Sequence, residues 1–120
     1  MSRAIVAFKV RHGSLAVRVR LLASIDDVHS EWVSGGRPCQ RNHTIHAFFQ
    51  PDLSPLAKTV GTIVLAADGL LTEVIPHEVT HAVLHAQGGA SRSADEAAAT
   101  AVGVLCHRIF TRLRRAGLEA

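Results

Sequence analysis

A chain of 120 residues, 48% of them hydrophobic, is long enough to enclose one core and too short for two, so one domain spanning residues 1–120 is expected. No apolar run approaches the ~18 residues of a membrane span, and Lys9 interrupts the short stretch from Ala4 to Phe8; no leader peptide or membrane partner is expected, and the expected setting is cytoplasmic. Thirteen Lys and Arg against ten Asp and Glu give a formal charge of +3, too small to dictate a polyanionic partner.

The charge is unevenly spread. Arg11, Arg18 and Arg20 fall in the first strands, and Arg108, Arg112, Arg114 and Arg115 crowd the last helix. Such clusters track phosphates, but one Trp, four Phe and no Tyr leave little for base stacking. Solvated faces are therefore the leading reading, with nucleic acid a secondary partner. Cys39 and Cys106 lack a C-x-x-C spacing and a secretory context, which favours two reduced thiols.

Val6, Phe8 and Val10 alternate with small or charged residues, as do Val17, Val19 and Leu21, which is the period of half-buried strands. Arg11 to Ser14 reads as the hairpin turn between them. Ser24 then caps a helix through Ile25, Val28 and Trp32, with Asp26 and Asp27 in its first turn and Gly35-Gly36 ending it. A loop through Arg37, Pro38 and Asn42 follows.

Two more strands are predicted, Thr44 to Phe49 stopped by Pro51, and Thr62 to Ala66 closed by Asp68-Gly69, with an irregular segment holding Pro51 and Pro55 between them. A helix from about Thr72 to Gln87 ends at Gly88-Gly89, and a last helix starts at Ser93 and runs to about Ala116. The expected class is α+β: a small, mostly antiparallel twisted sheet, a backing helix over 24–35, and two helices packed together.

The first of those two helices carries His77-Glu78-Val79-Thr80-His81, an HExxH sequence. With ~3.6 residues per turn, His77 and His81 share one face, close enough for both imidazoles to reach one ion. Glu78 lies about 100° around the helix, beside that ion, where a carboxylate takes a proton from an activated water. Metal-dependent hydrolysis with Zn2+ as cofactor is the leading expectation.

A catalytic zinc takes three protein ligands, so a third is needed. Downstream candidates are His85, Asp95, Glu96 and His107. His85 lies too far along the row to converge with both others. Glu96 fits better, because the chain reverses after Gly88-Gly89, and Glu96, Thr100, Gly103 and His107 fall within about 40° on one stripe that would face the HExxH helix. Gly103 would then permit close approach and Thr100 would hydrogen-bond a ligand. Ser93-Ala94-Asp95-Glu96 is also a capping box, so helix capping competes with ligation, the favoured reading of Glu96. His107 reads as a buried or interface histidine.

HEVTHAVLH followed by E-A-A-A-T-A-V resembles the small gluzincin metallopeptidases of the ImmA/IrrE type, which pair HExxHxxLH with a downstream ExxA[ND]xFA segment. The resemblance covers Thr62 to Ile109 and implies a minimal zincin-like fold, His77, His81 and Glu96 as zinc ligands, and Glu78 as catalytic acid/base. Thr100 stands where the family has Asn or Asp, and Val102 replaces its aromatic. Pro76 departs too: inside a continuing helix its ring meets the carbonyl four residues back, so the helix is expected to begin nearby.

The resemblance implies a metalloendopeptidase acting on a peptide or protein substrate, with the Thr62 to Ala66 strand as the edge to which an extended peptide pairs. With no tyrosine in the chain, His46, His107 or an arginine would have to stabilise the oxyanion. Two alternatives differ in class: a nonproteolytic zinc-binding regulatory or interaction protein, and a DNA-associated metalloprotein using the terminal arginines. Ala101, Leu105, Ile109 and Leu113 lie opposite the Glu96 stripe and leave the last helix apolar on both sides, which suggests a homodimer.

Overall fold

The computed structural model describes residues 3–38, 44–54, 56–88 and 92–118, except for the side chains of 92–95. Strands β1 (Val6–His12) and β2 (Leu15–Leu22) form an antiparallel hairpin closed by a two-residue turn at Gly13-Ser14, shorter than the expected four. Helix α1 (Ile25–Ser34) starts as expected, with Ser24 Oγ accepting from the Asp27 amide at 3.2 Å, a cap worth ~1 kcal/mol. The Ile25 amide also donates to Asp68 Oδ1 at 2.8 Å, tying the start of α1 to the turn after the last strand.

Strand β3 (Phe48–Pro51) begins later than the expected Thr44 and includes Pro51 rather than stopping before it. A proline without an N–H is tolerated there because β3 is the outer strand. Strand β4 (Gly61–Ala66) pairs with β3 antiparallel and with β2 parallel, so the sheet is mixed, in the order β1-β2-β4-β3.

That order corrects one expectation: Thr62 to Ala66 lies inside the sheet, and β3 is the edge beside it. The physical reason is burial on both faces. Ile63 and Leu65 point into the larger core, beneath helices α2 (Leu71–Gln87) and α3 (Arg92–Arg115), while Val64 and Ala66 join Leu22, Val28 and Phe48 under α1. A strand covered on both sides reads as a continuous apolar run, which Ile63 to Ala66 is.

Helix α2 begins at Leu71 and passes straight through Pro76, rather than starting at it. Proline removes the hydrogen bond to the Thr72 carbonyl, at a cost of about 3 kcal/mol in a regular helix. Thr72 is exposed, so water can take that bond. The helix ends where expected: Gly88 adopts φ +66 and its amide bonds back to the His85 carbonyl at 3.3 Å.

Helix α3 packs the other way round from the expected stripe. Ala101, Leu105, Ile109 and Leu113 are the buried residues, the last three fully so, whereas Glu96, Thr100, Gly103 and His107 are exposed. A Cβ on Gly103 would meet nothing within 4 Å, so no close approach is made there. The face that suggested a homodimer is covered by the chain's own strands and α2, which removes that reason for self-association. His107 is likewise exposed rather than buried. The expected cap at Ser93 and the side chain of Asp95 lie outside the described residues, as do Cys39, Asn42 and Pro55; Cys106 is a free, half-buried thiol. Among the described residues no helix is long and apolar enough to cross a membrane.

Candidate active site

One stripe of α2 faces the core, with Leu71, Ile75, Glu78, Val79, Ala82 and Val83 buried at helical spacing. Glu78 is the charged exception, only 6% exposed. His77, His81 and His85 form an exposed row beside that stripe at successive i, i+4 positions.

The structure brings His77 and His81 together, with Nε2 atoms 3.2 Å apart and ring centroids separated by 4.7 Å at 77°. Two nitrogens each ~2.0–2.1 Å from one tetrahedral zinc lie about 3.3 Å apart, so the pair matches two corners of such an ion. The same distance also suits a hydrogen bond between one protonated and one bare Nε2. Glu78 Oε2 lies 4.0 Å from His77 Nε2. Burial pushes the Glu78 carboxyl above its ordinary range, and positive charge on His77 and then His81 pulls it part of the way back.

Glu96 is exposed on the first part of α3 and is not among the residues lining the cleft at the histidine pair. Among the described residues no three His, Cys, Asp or Glu side chains are gathered into a metal-binding group. Two donors therefore fit a zinc ion as they stand, and no third side chain joins them among the described residues.

A cleft of about 470 Å³ opens in front of the pair, between α2 and the β3 edge. Phe48, Phe49, Pro51, Ile45 and Trp32 supply its apolar wall, a feature that sequence reasoning missed. The Phe48-Phe49 pair beside a proline was the available signal. His85, set aside as a ligand, lines the cleft and packs its ring against Phe49, with centroids 5.8 Å apart. Trp32 meets Phe48 edge-on at 5.2 Å, and Arg37 lies over both rings while hydrogen-bonding Gln50.

Glu78 is also reached from a second recess, of about 290 Å³, under the Thr44 to Ala47 segment. His46 lines that recess together with Glu78. Of the two histidines expected to serve an oxyanion, His46 thus adjoins the general-base candidate, whereas His107 lines a different groove between β1 and α3. No protein-family model, curated protein or solved structure matches the chain.

Proposed function

We propose that this chain is a zinc-dependent metalloendopeptidase, with His77 and His81 holding the ion, Glu96 as the third ligand that the ImmA/IrrE resemblance implies, and Glu78 as general base. The observation carrying this reading is the 3.2 Å pairing of two imidazole nitrogens beside a buried carboxylate at the wall of an open cleft. When bound, zinc supplies Lewis-acid activation of water and polarisation of the substrate carbonyl.

The chain's own residues perform the rest. Glu78 accepts the proton of the attacking water on its carboxylate and returns it to the leaving amine, and a carboxyl raised by burial is better matched to that exchange near neutral pH. Strand β3 is bonded to β4 on one side only, so an extended peptide can add to its other edge through backbone hydrogen bonds. The Asp52 amide bonds to the Val60 carbonyl, and in that register Phe48 and Gln50 also turn their amides to β4, while Phe49 and Pro51 face outward. Pro51 has no N–H, which leaves the Phe49 amide as the outward donor of β3. Phe49 and His85 form an apolar seat for a substrate side chain, and His46 is the donor assigned to the developing oxyanion.

A nonproteolytic zinc-binding role has one observation in its favour, the exposed position of Glu96 apart from the pair. Three variants separate the readings. Glu78→Gln should retain about one zinc per chain and lose peptide hydrolysis by at least ~10², since only the proton acceptor is gone; an active Glu78→Gln enzyme overturns the mechanism. Metal analysis of His81→Ala and Glu96→Ala should show the zinc lost, and full stoichiometry in Glu96→Ala would return that residue to helix capping.

A further inference from the structure

Basic residues that the sequence keeps at opposite ends of the chain meet in one groove. Lys9 and Arg11 of β1 line it together with His107, Arg108, Arg112 and Arg115 of α3, around a volume of about 470 Å³. The α3 residues recur at helical spacing and so form one continuous stripe. No acidic side chain lines the groove. Five of the chain's thirteen Lys and Arg lie here; the remaining eight face ten Asp and Glu, so the rest of the chain is formally −2 and the excess of positive charge is concentrated in this place. Among the described residues none of the five pairs with a carboxylate, and Arg112 instead packs over the Phe8 ring at 4.8 Å.

We propose that this groove binds the phosphodiester backbone of duplex nucleic acid without reading its sequence. Arginine, four of the five cations, presents a planar fork of donors that matches phosphate oxygens. From Arg108 to Arg115 the stripe advances ~10.5 Å at 1.5 Å per residue, about three base-pair steps of ~3.4 Å. The lining holds no Phe, Tyr or Trp, and the single imidazole of His107 is too little for successive unpaired bases to stack on, which disfavours single strands. An anionic bilayer fits less well: surface helices anchor through apolar side chains, and the exposed large hydrophobics, Ile5, Val33, Leu53, Leu56, Leu70 and Leu84, all lie off α3. The groove flanks β1 at one end of the sheet and the histidine cleft flanks β3 at the other, roughly 14 Å away at ~4.8 Å per strand, so both can be occupied at once.

The test is fluorescence anisotropy with a labelled mixed-sequence DNA duplex of about 20 base pairs, titrated between about 50 and 200 mM salt. Neutralising three to five phosphates predicts a slope of log affinity against log salt of about −3 to −4.5. Arg108→Gln with Arg115→Gln should weaken binding at least ~10-fold at the lowest salt and flatten the slope by about 2. Lys9→Gln with Arg11→Gln, on a different element, should do the same if the helix variant proves unstable. Arg3→Gln with Arg18→Gln removes equal charge from exposed positions outside the groove and should change neither quantity. Equal weakening by that matched pair overturns the groove as the site, as does absence of binding at the lowest salt. Phosphatidylserine vesicles captured through the groove arginines, with no duplex binding, would replace nucleic acid by a membrane surface.

Discussion

The ring of Phe49 occupies the space that a side chain at Gly61 would need. A Cβ there would lie 2.7 Å from Phe49 Cε1 and 2.8 Å from Cζ, and would also strike the Gln50 carbonyl. Phe49 can lie across the sheet only because its diagonal neighbour on β4 is glycine, and the same ring forms the cleft wall against His85. Gly61→Ala should therefore cost about 1–3 kcal/mol in urea denaturation, through overpacking at the β3–β4 pairing. Unchanged stability would mean that both the ring and the Gln50 carbonyl give way without cost.

Glu78 gives a pH signature in metal-free protein. Its folded-state pKa is raised, chiefly by burial, so the favourable contribution is fully present below the unfolded value of ~4.3 and is lost as pH rises through the folded value. Glu78→Gln does not titrate. In the presence of a chelator its stability relative to wild type should rise from pH 4 to pH 7, and a constant difference across that range would contradict the direction of the shift.

Arg20 and Glu31 join β2 to α1 through two hydrogen bonds of 2.9 and 2.8 Å, with side chains 27% and 10% exposed. The hydrogen bond to Glu31 raises the guanidinium pKa more than desolvation lowers it. Removing the carboxylate leaves a partly buried cation short of its bidentate partner. Glu31→Ala should cost about 2–3 kcal/mol by chemical denaturation, and a loss below ~0.5 kcal/mol would place the pair with ordinary surface ion pairs.

Leu105 has no exposed surface. Leu105→Ala should cost about 2–5 kcal/mol, and Leu105→Glu should unfold the chain rather than separate a dimer. A folded Leu105→Glu protein with reduced mass in light scattering would restore the dimer interface to this face.

Strand alternation at Val6 to Val10 and Val17 to Leu21, the Ser24 cap, and the Gly88 stop were legible because each is a local pattern with a local cause. The pairing of His77 with His81 was legible for the same reason, four residues being one turn. Sheet order was not. Whether β4 lies at an edge depends on which distant strand comes beside it, although the uninterrupted Ile63 to Ala66 run carried a sign of burial on both faces that spacing from the HExxH helix obscured. The face of α3 failed on a related point: Glu96 to His107 and Ala101 to Leu113 are both helical stripes, and only tertiary packing selects the second for the core. The apolar wall of the cleft depended on three separate elements meeting.

Pro76 has a mechanical consequence for the pair that follows it. A helix bends most cheaply where a rung of its ladder is already missing, and in α2 that place is the turn between Thr72 and Pro76. The missing rung joins Thr72 to Pro76, whereas His77 and His81 lie beyond it, so the 3.2 Å spacing of the two nitrogens is set in a part of α2 whose ladder Pro76 does not interrupt. The backbone defect of the proline is thus separated from the geometry that two imidazoles need in order to share an ion.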